Sequence, residues 1–279
     1  MNKKYNYIIG DIHGCFDELL KLESKIKEDA EINKVKPFII SCGDLIDRGH
    51  HSREVLEHFF KGEKKKTHLA VIGNHEVMIL QSFECFSKKP LPLPFPKEFD
   101  TYRDMYELNT GFLMNLSWDT FRTTLKGIWL GQGGNETLRS FGLDPDNFDE
   151  WKIDNKILEY LIKMPLYYEG ENFIVTHGLA NKNDFESIKK LSGKESLSEK
   201  EILDLKKTSN VLIWNRVMPL EKINNKIHIS GHTPIKKVKR LKRANAIQID
   251  TACVFGNKLT AYCPETDTLI SIDSKTKYK

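Results

Sequence analysis

Three short polar clusters in the first 80 residues carry side chains that could do chemistry: Gly10-Asp11-Ile12-His13-Gly14, Gly43-Asp44-Leu45-Ile46-Asp47-Arg48-Gly49 and Gly73-Asn74-His75-Glu76. Asp11 and His13 stand two apart, so at an extended strand end both point the same way. Asp44 adds a carboxylate that can bridge two ions, and Asn74 adds a neutral oxygen. Later in the chain His177 and His232 each abut a glycine. Three imidazoles, two carboxylates and one amide are enough to hold two metal ions with Asp44 shared. Nitrogen and oxygen ligands without thiolate favour divalent manganese, iron or zinc over a closed structural zinc site.

A pattern such as Asp-x-His is common by chance. Its weight here comes from what precedes each cluster. Tyr5 to Gly10, Pro37 to Ser41 and His68 to Ile72 read as short buried strands. Helical spacing follows each: Leu19, Leu20, Leu22 and Ile26 behind an Asp17 cap, then Val55, Leu56, Phe59 and Phe60, then Val77, Leu80 and Phe83. Strand alternating with helix predicts βαβ units and a largely parallel sheet, whose strand ends share one edge. Phe173 to Thr176 and Lys226 to Ser230 predict strands that deliver His177 and His232. Further strands are expected at Ala246 to Asp250, Lys258 to Tyr262 and Thr268 to Ile272. Ser198-Glu199-Lys200-Glu201 has the form of a capping box opening a surface helix.

The middle of the chain differs. Pro90, Pro92, Pro94 and Pro96 alternate through a stretch that suits neither helix nor central strand. More than half of the aromatic residues fall between Phe83 and Tyr168. Residues 81–170 are therefore expected to form an inserted, mainly helical cap with its own small core, within a single domain spanning 1–279. Substrate choice should lie in that cap.

Composition sets the outer limits. The 279 residues carry 43 Lys and Arg against 39 Asp and Glu, a net charge of +4 that does not announce a nucleic-acid binder. Hydrophobic residues at 39% and charged residues at 29% exclude wholesale disorder. No apolar run reaches the ~18 residues of a membrane helix. Five cysteines without a C-x-x-C pair, and an N-terminus without an apolar leader, predict a cytoplasmic protein with reduced thiols. The basic run Lys236, Lys237, Lys239, Arg240, Lys242 and Arg243 has no interleaved aromatics and reads as an exposed loop between strands. His50, His51, His58, His68 and His228 are expected in structural roles, with His50 and His51 near enough to Arg48 to touch the site rim. Asp250-Thr251 reads as a strand-ending turn before a support behind the site, and Cys42 as an inert strand residue before a redox-sensitive one.

The motifs G-D-x-H-G, G-D-x-x-D-R-G and G-N-H-E, followed by His177-Gly178 and Gly231-His232-Thr233-Pro234, resemble the phosphoprotein phosphatase family of calcineurin-like metallophosphoesterases. They span residues 10 to 234, most of the chain. Within that family the chain is most similar to the bacterial serine/threonine protein phosphatases, with the diadenosine tetraphosphatases as relatives. The resemblance implies an α/β fold of two mixed β-sheets packed as a sandwich and flanked by helices. It implies two divalent metals, manganese first with iron or zinc as alternatives. Asp11, His13 and Asp44 would hold one, and Asp44, Asn74, His177 and His232 the other. His75 would be the general acid, Asp47 its orienting partner, and Arg48 and Arg216 the phosphate ligands, with Asn74 and His75 also facing the phosphate. The chain uses 35 Lys and only eight Arg, yet both phosphate positions are Arg, where a planar bidentate fork matters.

The reaction so implied is hydrolysis of phosphomonoesters by direct attack of a hydroxide held between the metals, on phosphorylated protein or a small phosphoester or nucleotide. The alternatives are a hydrolase of dinucleoside polyphosphates or of RNA 5′ ends, and a non-catalytic scaffold. The intact D-R-G and G-N-H-E favour the phosphomonoesterase reading over the dinucleoside polyphosphate one. Trp129, Gly133-Gly134 and Thr137 also look like bacterial members of the family, where this region borders the active site.

Overall fold

Ile8 and Ile9 are neighbours on one strand, fully buried in different cores. That follows from the period of two along a strand: a sheet covered on both faces must be apolar at every position. A computed structural model describes residues 3–83, 118–192, 194, 196–275 and 277. The sequence-predicted Pro90 to Pro96 segment, and residues 84–117 of the expected cap, lie outside the described residues.

The first sheet contains β1 (Lys4–Ile9), β2 (Lys36–Ser41), β3 (His68–Ala70), β9 (Lys258–Cys263) and β10 (Thr268–Asp273), in the order β10-β9-β1-β2-β3. β1, β2 and β3 are parallel, joined through α1 (Phe16–Ile32) and α2 (Ser52–Lys64). The second contains β4 (Tyr167–Glu169), β5 (Phe173–Thr176), β6 (Ile227–Ser230), β7 (Lys239–Leu241) and β8 (Ala246–Gln248), ordered β4-β5-β6-β8-β7. Its three central strands are parallel and its two edge strands antiparallel. Both sheets are thus mixed, as expected.

The sheets face each other across Ile8, Phe38, Ile40 and Val71 on one side and Phe173, Val175, Ile229 and Ile247 on the other. Residues of opposite parity turn outward. Tyr7, Ile9 and Ile39 pack with Leu19, Leu22 and Ile26 of α1 and Val55, Leu56 and Phe59 of α2. Ile174 joins Phe185 and Ile188 of α7 (Lys182–Ser192), which pairs with α8 (Glu199–Trp214). Burial of each such side chain contributes roughly 1.5–3 kcal/mol.

α3 (Asn74–Ser82) follows β3. Beyond the undescribed stretch come α4 (Trp118–Trp129), a wide π-helical turn at Leu130–Gly134, α5 (Asn135–Ser140) and α6 (Asn155–Lys163). The described part of the expected cap does not pack apart from the rest. Trp129, Leu138, Ile157 and Tyr160 share the apolar cluster of Tyr7 and Ile9, and Trp129 sits edge-on to Phe83 and Trp151.

Some local expectations need correction. α1 begins at Phe16 with Cys15 in the capping position and no side-chain cap, so Asp17 lies inside the first turn. The basic run is not wholly loop, since Lys239–Leu241 forms edge strand β7 against β8. Its charges kept it from reading as a strand, and charge is what protects an exposed edge from further pairing. β4 was unforeseen. The capping box does form: the Ser198 hydroxyl accepts from Glu201 N, and the Glu201 carboxylate accepts from Ser198 N at 3.0 Å. No helix among the described residues is long and apolar enough to cross a membrane.

Candidate active site

The parallel strands of both sheets end on the same side, and the polar clusters lie just past those ends. β1 leads to Asp11 and His13, β2 to Asp44, β3 to Asn74 and His75, β5 to His177 and β6 to His232. The two sheets are tied there. His177 Nδ1 donates to Cys42 O at 2.8 Å, Gly231 N to His177 O at 3.0 Å, and His232 N to both Asp11 oxygens at 3.0 and 3.1 Å. Gly231 is demanded by this closeness, because a Cβ there would lie 2.0 Å from Asp11 Oδ1.

The backbone is unusual at this edge. His13, Asp44, Asp47, Arg48 and His232 all adopt positive φ, between 47° and 72°. For residues with a Cβ each such conformation costs about 1–2 kcal/mol. Its concentration at one place is the pattern expected where surroundings force side chains into a common point.

What converges there is a set of ring nitrogens and oxygens that must share protons or cations. His177 spends its Nδ1 proton on Cys42 O, and His232 Nε2 meets Trp214 O at 3.1 Å. The remaining nitrogens, His177 Nε2 and His232 Nδ1, stand 3.1 Å apart, and each is 2.9 Å from Asn74 Oδ1. Asp44 Oδ1 is 3.3 Å from His177 Nε2. On the other side of Asp44, His13 Nδ1 donates to Ile46 O at 2.7 Å, leaving Nε2 3.5 Å from Asp44 Oδ2 and 2.6 Å from Arg48 Nη1. His75 Nε2 lies 3.8 Å from the same Asp44 oxygen. Lone pairs aimed at one another call for cations, and the donor set fits two divalent ions sharing Asp44.

Electrostatics point the same way. Burial alone would depress His177, but the Asp44 carboxylate, its hydrogen bond and Asp11 hold its pKa up at about 9. Burial also pushes the Asp11 carboxyl well above the usual range, with Asp250 adding to the rise. Left with protein charges only, the site recruits protons. Positive charge is what it lacks.

The sequence profile of the calcineurin-like phosphoesterases matches residues 7–245. The chain belongs to this family. It is 26% identical over 280 residues to the asymmetrical bis(5′-nucleosyl)-tetraphosphatase PrpE of Bacillus velezensis, covering 97% of this chain and 93% of that one. It is 24% identical over 263 residues to serine/threonine-protein phosphatase 1 of Salmonella typhimurium, covering 93% and 91%. Among solved structures, one assigned as a diadenosine tetraphosphatase shares the fold at a TM-score of 0.51 and 17% identity, over 98% of this chain and 99% of that one.

In this calcineurin-like phosphoesterase the first two motifs and G-N-H-E meet at one point, as their strand-end positions predicted. His75 Nδ1 lies 2.6 Å from Asp47 Oδ2. Arg48 sits over His13. Arg216 stands exposed just past α8, with no direct bond to the cluster; its charge, after burial and His177, helps hold His232 down at about 3. His50 bonds Glu136 on the rim at 2.8 Å rather than entering the site.

One role was not read from sequence, that of Glu76, and one, that of Asp250, was read only as an alternative to a turn. Glu76 accepts three backbone N–H groups, from Gly73 and Asp44 at 2.9 Å and from Leu45 at 2.8 Å, and so fixes the Asp44 loop. Asp250 is buried at 4% exposure, and burial together with the Asp44 charge holds its carboxyl up at about 6, while its charge in turn raises Asp11. A glutamate after Gly-Asn-His and an aspartate at a strand end were visible, but their partners were not. The Gln132–Thr137 stretch also gains a function: Gly133 O accepts from Arg48 N at 3.1 Å, and Thr137 bonds Asp47.

Proposed function

We propose that this chain hydrolyses phosphomonoesters in a divalent-metal-dependent reaction, with phosphorylated serine or threonine of a protein as the substrate class. The observation that carries the reading is the His75–Asp47 pair. An alkoxide is a poor leaving group and needs a proton as it departs, a contribution of about 10²–10⁴ in rate. Asp47 accepts from His75 Nδ1, from Trp129 Nε1 at 2.9 Å and from Thr137 Oγ1 at 2.6 Å. So held, it keeps the Nδ1 proton in place, turns His75 Nε2 toward Asp44 and stabilises the imidazolium that can donate from Nε2.

Asp11, His13 and Asp44 would hold one metal, and Asp44, Asn74, His177 and His232 the other, with manganese the first choice. Two such ions lower the pKa of a water molecule toward neutrality and neutralise phosphoryl oxygens. Arg48 and Arg216 supply planar guanidinium forks for the remaining phosphoryl charge. Arg48 Nη1 stands 2.6 Å from His13 Nε2; with that nitrogen holding a metal, the fork would be free for a phosphoryl oxygen.

A second reading, hydrolysis of dinucleoside polyphosphates, is favoured by Phe255. This ring is 46% exposed, and the Arg48 guanidinium carbon lies 5.5 Å from its centre. An exposed aromatic beside a phosphate ligand suits a nucleobase. The bis(5′-nucleosyl)-tetraphosphatase among the chain-long relatives supports the same reading. The two are separated by a manganese-supplemented panel of phosphoserine and phosphothreonine peptides, p-nitrophenyl phosphate and diadenosine tetraphosphate. Preference for the peptides in kcat/KM supports the first reading. Preference for diadenosine tetraphosphate, reduced at least tenfold by Phe255→Ala, replaces it with the second.

A further inference from the structure

Away from Asp44, one further cluster among the described residues has metal-ligand chemistry and no part in the proposed reaction. Glu23 on α1, His58 on α2 and His68 at the start of β3 converge, with side chains 17%, 26% and 11% exposed. Glu23 Oε1 stands 2.8 Å from His58 Nε2 and 3.3 Å from His68 Nε2. All three ligand atoms lie within 4.8 Å of one another. Ligands bonded to zinc at about 2.0–2.1 Å in a tetrahedron stand about 3.3 Å apart, close to the spacing already present.

The third ligand is held from behind as well: His68 Nδ1 lies 2.8 Å from the Thr67 hydroxyl, which also stands 3.1 Å from Gly62 O, and this contact orients the ring with Nε2 toward Glu23.

The placement of His68 is also built in. Gly62 lies inside α2, where glycine costs about 1 kcal/mol relative to alanine. A Cβ at this position would lie 2.2 Å from His68 Nδ1 and 2.4 Å from Cγ. The helix gives up stability where the ring needs the space. The rings of Phe16 and Phe59 stand edge-on to His58 and His68, at 5.8 and 5.4 Å between centres, and wall the cluster with apolar edges.

We propose that Glu23, His58 and His68 bind one divalent transition metal of the zinc class, separate from the Asp44 cluster, which clips α1, α2 and β3 together. Two imidazoles and one carboxylate suit a borderline metal, and partial exposure leaves water to complete the coordination.

The test is equilibrium dialysis of the full chain against cobalt(II), with bound metal counted per chain. Wild type should hold one equivalent more than Glu23→Gln or His58→Gln, while both variants keep wild-type turnover with manganese. Gly62→Ala retains all three ligands but displaces the His68 ring, and should lose the same equivalent. Equal counts in wild type and Glu23→Gln would leave a hydrogen-bonded trio without an ion and overturn the proposal. Because Glu23→Gln is nearly isosteric, it carries the test even if His58→Gln fails to fold. A failure of the Asp44 cluster to load would lower every count alike and leave the difference readable.

Discussion

His75 Nδ1 and Asp47 Oδ2 are 2.6 Å apart, and both side chains are closed to solvent, at 1% and 0% exposure. A charge-assisted bond in such surroundings holds its partners far more firmly than one at the surface. It gives the imidazole one orientation and one tautomer. The nitrogen left over faces the Asp44 cluster.

His75→Asn and Asp47→Asn should therefore act selectively. Both should lower kcat on alkyl phosphates by about 10²–10⁴ and cost much less on aryl phosphates, whose leaving groups depart without a proton. Steady-state kinetics on phosphoserine peptide and p-nitrophenyl phosphate read this out. Equal losses on the two substrates would reject the acid role.

Trp129→Phe should weaken the fold as well as the reaction. Trp129 is fully buried and donates to both Asp47 oxygens, at 3.1 and 2.9 Å. Phe leaves the carboxylate one donor short, at a cost of about 1–3 kcal/mol plus the lost ring volume. Urea midpoints should fall accordingly. An unchanged midpoint would show that Thr137 and His75 satisfy Asp47 unaided.

Glu76→Gln places an amide group against backbone N–H donors from Gly73, Asp44 and Leu45. Loosening of the Asp44 loop should lower manganese affinity by about 10–100-fold, as loss of a ligand's supporting bonds commonly does. Metal titration of variant and wild type measures it. Identical affinities would assign Glu76 to stability alone.

Acid should destabilise the fold partly through His228. This side chain is buried on β6, its Nε2 is 2.7 Å from Thr176 Oγ1, and burial holds its pKa down at about 4. The unfolded chain, near 6.5, takes up that proton first. The contribution from keeping His228 neutral is thus complete above about pH 6.5. It erodes as pH falls toward 4, by about 3 kcal/mol in all. His228→Gln should flatten unfolding free energy against pH across this window; an unchanged slope would contradict the assignment.

Much of this site was legible because its proposed ligands are tied to strand ends. Asp11, His13, Asp44, Asn74, His177 and His232 each follow a short apolar run, and an open α/β sheet brings such ends to one edge. The two-sheet sandwich came from the family resemblance, since nothing local in Ile8 or Val175 says which sheet faces which. Glu76 escaped, and Asp250 read first as a turn, because their partners are distant in sequence and a buried carboxylate looks like any other in a motif. β7 escaped for the opposite reason: Lys239 and Arg240 make an edge strand look like a loop. Trp129 and Thr137 were noticed only by resemblance. Their bonds to Asp47 span 82 and 90 positions, which no local pattern encodes.

The metal requirement is the most direct test of the whole account. Chain dialysed against chelator should be inactive on p-nitrophenyl phosphate, and manganese should restore turnover in step with bound metal, saturating when the Asp44 cluster holds two ions. Full turnover in excess chelator after dialysis would contradict it.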